Sequence, residues 1–129
     1  MGRRLILDTN VLIAYERGTI DRAALDDDEL AVAALTIAEY RVGMELADTA
    51  TADRARALAV IMSSIEVLPY GEATAIHHAR LIAHVRRAGT PHGAHDLIIA
   101  ATAIAGGHVV ATRDSRSFPN IPSLKFKVL

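Results

Sequence analysis

Four acidic residues stand where this chain would gain by staying apolar. Asp8 interrupts LILDTNVLI (residues 5–13), Glu39 lies in LTIAEYRVG (35–43), Asp96 opens HDLIIAATAIA (95–105), and Asp114 follows the apolar start of VVATRDSRSF (109–118). A carboxylate on an apolar stripe is costly unless it is paired. Two carboxylates about 4 Å apart repel by roughly 4 kcal/mol at an effective dielectric near 20. If all four share one mouth, something positive must sit among them, and no lysine precedes Lys125. A hard divalent cation, Mg2+ or Mn2+, is the natural candidate. Such ions take oxygen ligands, keep several waters and leave positions for a phosphate oxygen.

Each acid also has a local explanation. Asp8 or Thr9 can cap a following helix. Thr36 to Glu39 fits the S/T-x-x-E capping box. Asp96 complements the dipole of the helix it opens. Asp114 suits a turn before Ser115. Capping and cation binding are compatible, because a helix start at the end of a sheet is aimed at the crevice where α/β proteins bind ligands. Thr9 and Asn10 are then free to hydrogen-bond to Asp8, to a neighbouring acid or to the turn backbone.

The elements that must position these residues are legible. Five short apolar runs, near 4–8, 29–34, 65–69, 108–112 and 124–128, read as strands. The first and fourth are nearly continuous in apolar residues, as expected of parallel strands buried on both faces. The last alternates, with Lys125 and Lys127 on one side, which is how an edge strand avoids unwanted pairing. Residues 9–17, 36–47, 52–64 and 72–88 carry amphipathic helical patterns, the last stopped by Gly89. Residues 95–105 are apolar all round, which predicts a central helix. Strands alternating with helices predict an α/β fold, a three-layer α/β/α sandwich with a mainly parallel five-stranded sheet. If strands one and four are neighbours, Asp8 and Asp114 emerge at one edge. The chain, 129 residues with no repeat or linker, reads as a single domain spanning 1–129.

Composition removes several classes of function. There is no cysteine, so disulfides, thiolate nucleophiles and sulfur-ligated zinc are excluded. Hydrophobic residues make up 51% and charged ones 22%, unlike a disordered chain. No apolar window reaches the length of a membrane span, and Asp8 breaks any signal-like start, so the expected place is the cytoplasm. Formal net charge is −1, so bulk attraction to nucleic acid is weak. Of the 14 positive charges, 12 are arginine, whose planar fork suits phosphate, although GC-rich codon usage gives the same bias. Aromatic side chains, at 4%, are too few for a base-stacking platform.

Taken in order, LILDTNVLI, LTIAEYRVG, HDLIIAATAIA and VVATRDSRSF resemble the four acidic motifs of the PIN domain. Their spacing and flanks look like the VapC-type ribonuclease toxins of toxin–antitoxin pairs, over essentially the whole chain. The resemblance implies that Asp8, Glu39, Asp96 and Asp114 form an acidic quartet for Mg2+ or Mn2+, with Thr112 as the hydroxyl that orients the acids. It implies an endoribonuclease acting on structured RNA of the transfer or ribosomal class, a cognate antitoxin that covers the acidic groove, and a homodimer. In such a mechanism metal-activated water attacks phosphorus and leaves a 5′-phosphate and a 3′-hydroxyl. Arg113 and Arg116 flank the last acid and are candidates for gripping phosphate, or ordinary surface arginines. His92 and His95, just before Asp96, depart from what the family requires; they are candidates for zinc ligation or acid catalysis, or have no role.

Two alternatives stand beside this reading. A haloacid-dehalogenase-like phosphatase would use a strand-end aspartate as nucleophile, but it needs D-x-D, and Asn10 occupies the second position. A non-catalytic RNA- or protein-binding domain of the same fold would not need all four acids.

Overall fold

The computed structural model describes residues 2–47 and 51–129. The chain runs β1 (Arg4–Leu7), α1 (Thr9–Arg17), a 3-10 turn (Arg22–Leu25), β2 (Glu29–Ala33), α2 (Ala34–Leu46) and α3 (Thr51–Met62). It continues through β3 (Glu66–Leu68), α4 (Glu72–Ala88), α5 (Ala94–Gly106), β4 (Val109–Thr112) and β5 (Phe126–Val128). The five strands form one sheet in the order β3-β2-β1-β4-β5, and every neighbouring pair is parallel.

Burial follows the two-residue period of the strands. Leu5, Leu7, Val32 and Ala111 point to one face and pack with Val11, Leu12, Tyr40, Met44 and Leu58 from α1, α2 and α3. Ile6, Ala33 and Val110 point to the other and pack with Leu81, Leu97, Ile99 and Ala100 from α4 and α5. The result is the expected three layers. Beyond its first turn α5 is largely apolar, with Leu97 and residues 99–103 buried, and it ends at Gly107, whose φ of 70° is a left-handed cap that glycine adopts without strain.

The β1 and β4 strands are adjacent, with Leu7 registered against Ala111. From β1 the chain builds outward through β2 and β3, then crosses to β4 and β5 on the other side. The carboxyl ends of β1 and β4 therefore flank the topological switch point, where the crevice of such a sheet lies. The Asp8 N–H continues the ladder, donating to Ala111 O at 2.9 Å.

One element starts differently from the sequence reading. β2 passes directly into α2, with Ala33 as N-cap and no side-chain cap. Thr36 is thus inside the first turn and fully buried, and its hydroxyl has no hydrogen-bond partner among the described residues, so the capping box does not form. Glu39 lies one turn deeper than a cap would put it.

At the opposite edge of the sheet, His108 precedes β4, buried, with Nδ1 unpartnered among the described residues. Burial, then the charge of Arg4, holds its pKa below the ordinary 6.5. The unfolded chain takes up this proton first, so the stability His108 contributes is present above pH 6.5 and lost as pH falls through its depressed folded value. Thermal melts from about pH 8 to 5 should therefore show a fall in the parent that His108→Leu lacks. Parallel curves for the two proteins would refute this account.

Candidate functional site

Asp8 directly follows β1 and is the N-cap of α1. Its carboxylate, with the residue only 7% exposed, accepts from the Thr9 N–H at Oδ1 (2.8 Å) and from Thr112 Oγ1 at Oδ2 (2.9 Å). Thr112 ends β4, so this bond joins two strands whose contributing residues lie far apart in sequence. The same Thr112 oxygen accepts the Asp114 N–H at 3.1 Å, seating the turn that follows. Asn10 takes the Arg113 N–H at 3.2 Å, tying that turn to the start of α1.

Glu39 reaches the same region from the second turn of α2. Thr9 Oγ1 donates to its Oε1 at 3.0 Å, and His95 Nδ1 lies 3.1 Å from its Oε2. Asp96 stands in the first turn of α5. Its carboxylate takes no hydrogen bond from the described residues, and its Oδ2 lies 2.9 Å from where a Cβ on Gly93 would be. That glycine, the N-cap of α5, leaves room for the carboxylate to fold over the helix start.

The electrostatics divide these acids. Burial raises the Asp8 pKa above the ordinary carboxylate range; the bonds from Thr112 and Thr9 pull it partly back, and Glu39 and Asp114 push it up again. Burial also raises Asp96, followed by repulsion from Asp8, Glu39 and Asp114 and opposed by His92. Asp114 moves the other way. Its oxygens accept from Ser117 Oγ (2.6 Å) and the Arg116 N–H (2.8 Å), which favour the charged form.

Asp8 and Asp96 thus feel the charge of Glu39 and Asp114, and Asp96 that of Asp8, at the carboxyl edge of β1 and β4. They do not close into a cage: among the described residues, no three His, Asp or Glu side chains gather tightly enough to hold an ion by themselves. Asp114 in particular turns back onto its own turn, as a local turn aspartate does. An open arrangement suits Mg2+ or Mn2+, which commonly take one or two carboxylates directly and complete their shell with water and phosphate oxygens. The donor set is all oxygen, and Asp96 is a half-buried carboxylate that accepts no hydrogen bond from the described residues and is repelled by three other acids. The residues present therefore fit such an ion.

Arg113 and Arg116 are exposed beside this edge, and the Arg116 charge helps to lower Asp114. His92 Nε2 lies 3.0 Å from Pro119 O, and its Nδ1 is buried with no partner among the described residues. Three contributors were missed in the sequence. Ser117 carries a faint signal, a hydroxyl three residues after Asp114. Gly93 and the His95–Glu39 contact carry none, because both depend on where α5 docks.

The PIN domain family model matches residues 5–124. Ribonuclease VapC5 of Mycobacterium tuberculosis is 40% identical over 111 residues, covering 84% of this chain and 82% of that one. A protein of Salmonella typhimurium named tRNA(fMet)-specific endonuclease VapC is 31% identical, with 96% of each chain covered. Among solved structures, DNA-bound VapBC from Salmonella typhimurium superposes with a TM-score of 0.88 at 29% identity over 98% of both chains.

Proposed function

The chain belongs to the PIN domain family, among the VapC ribonucleases, and from that premise we propose that it is a divalent-metal-dependent endoribonuclease. On this reading residues 1–129 are one nuclease domain, the toxic half of a toxin–antitoxin pair, acting in the cytoplasm. Its substrate is structured RNA of the transfer or ribosomal class, a choice supported by the name of the Salmonella relative. What supports the proposal is that Asp8 and Asp96, from separate segments, are both raised by burial and by the charge of Glu39 and Asp114, Asp96 also by that of Asp8.

A bound Mg2+ or Mn2+ would supply Lewis-acid polarisation of a phosphodiester and a water of lowered pKa. Asp96 and Asp8 would hold it directly. Asp96 has its acceptor capacity open, while Asp8 keeps one lone pair on each oxygen beyond those used by Thr9 and Thr112. Thr112 fixes the Asp8 carboxylate and Thr9 fixes Glu39, so neither acid must find its place after the ion arrives. Glu39 and Asp114 add negative charge around the ion, Asp114 from a turn held by Ser117. Arg113 and Arg116 would receive phosphates of the substrate. Cleavage by water leaves a 5′-phosphate and a 3′-hydroxyl.

The partners follow the same reading. A cognate antitoxin is supported by the VapBC neighbour and by an apolar groove between α2 and α3, about 370 Å3, lined by Ile37, Leu58, Met62 and Val67. Val42, Leu46 and Val60 are large apolar side chains left exposed on those helices, consistent with a protein partner. A homodimer is the proposed oligomeric state. Among the described residues no helix is long and apolar enough to cross a membrane.

Membership of this family removes the phosphatase alternative. The non-catalytic one is separated by experiment: purified protein is incubated with total RNA in Mg2+, Mn2+ or chelator, and the new 5′ ends are mapped. Discrete 5′-phosphate ends that vanish in chelator are expected. Metal binding without any cleavage would leave a binding module in place of the enzyme.

A further inference from the structure

We infer that His95 is a positioning residue that sets the Glu39 carboxylate for cation binding, an inference that rests on the metal-dependent reading above. Its basis is a pair of donors on one carboxylate. Thr9 Oγ1 is 3.0 Å from Glu39 Oε1, and His95 Nδ1 is 3.1 Å from Glu39 Oε2. A carboxylate only accepts, so the ring nitrogen facing it carries a hydrogen. One donor on each oxygen leaves each a further lone pair to face an ion or its water.

The three groups come from three helices. Thr9 begins α1, Glu39 lies in α2, and His95 is the second residue of α5, on the far face of the sheet. Glu39 is therefore held between the two helical layers. The turn that delivers Asp96 also grips Glu39 through the adjacent residue, which links the placement of the two acids. A glutamate has several rotatable bonds, and fixing them beforehand removes ordering that would otherwise oppose binding. His95 has 58% of its side chain exposed, so little of the core depends on it. His92, three residues earlier and ahead of α5, serves a different partner, Pro119 O.

The test is Mn2+ binding to the full chain, read by electron paramagnetic resonance, for the parent, His95→Ala and His95→Asn. The asparagine amide can stand near the position of Nδ1. Outer hydrogen-bond partners of metal ligands commonly change affinity by about 10–100-fold, so His95→Ala should bind Mn2+ roughly tenfold more weakly. His95→Asn should recover most of that loss, and RNA cleavage by both at saturating Mn2+ should approach the parent's. Melting temperatures near the parent's would show that the fold is intact. Parent-like Mn2+ affinity in His95→Ala would overturn the inference, as would an asparagine variant no better than alanine. A parent that binds no Mn2+ would overturn the nuclease reading itself, a separate outcome.

Discussion

Asp96→Asn should lower the rate of RNA cleavage by about three orders of magnitude, the scale of several kcal/mol of lost charge stabilisation at a metal centre. The variant should stay folded, because asparagine has the same shape and Asp96 makes no hydrogen bond with the described residues that the amide would break. In the absence of metal it should even be slightly more stable. The sign follows from the raised pKa of Asp96. An acid whose folded pKa lies above its unfolded value holds its proton more tightly in the folded state. Stability therefore declines as pH rises from the ordinary 3.8 through the raised value, and at neutral pH the folded state carries repulsion that the unfolded chain escapes. The substitution removes that repulsion. Asp96 is partly exposed, so the gain is small, roughly 1–3 °C in melting temperature after solvent screening. Cleavage surviving in a folded Asp96→Asn protein would refute the assigned role. A metal-free variant that melts below the parent would refute the electrostatic account.

Saturating Mg2+ or Mn2+ should raise the melting temperature of the parent at neutral pH. An ion that binds only the folded state contributes about 2.7 kcal/mol at one hundred times its dissociation constant, or roughly 10 °C for a chain of this size. The shift should disappear in Asp96→Asn. It should also shrink as the solution is acidified, because raised proton affinity at Asp8 and Asp96 lets protons compete with the ion before ordinary carboxylates would. The acid-induced loss assigned to His108 begins near pH 6.5 and is the same with and without metal, so the difference between paired melts isolates the carboxylates. Melting curves that superpose in saturating metal and in chelator would mean that the acids hold no ion.

Much of the architecture was legible because it is local. The apolar runs RLIL and VVAT become β1 and β4, and α1 and α4 take the spans their periodicity predicts. The start of α2 was misread because the T-x-x-E pattern mimics a cap. What decides the start is the run of β2 straight into the helix, which buries Thr36.

Within the site, residue type and order were readable from the sequence: four acids at strand ends and helix starts, with hydroxyls beside them. Side-chain period and turn chemistry act over a few residues, so they reveal which elements carry the acids. Only the tertiary structure decided what those acids touch. Strand order puts Thr112 against Asp8, and the docking of α5 puts His95 against Glu39. The Ser117 hydroxyl and the Arg116 N–H draw Asp114 into its own turn. Such contacts depend on how whole layers pack and on which rotamer each packed side chain is left, and neither is encoded in the spacing of residues along the chain.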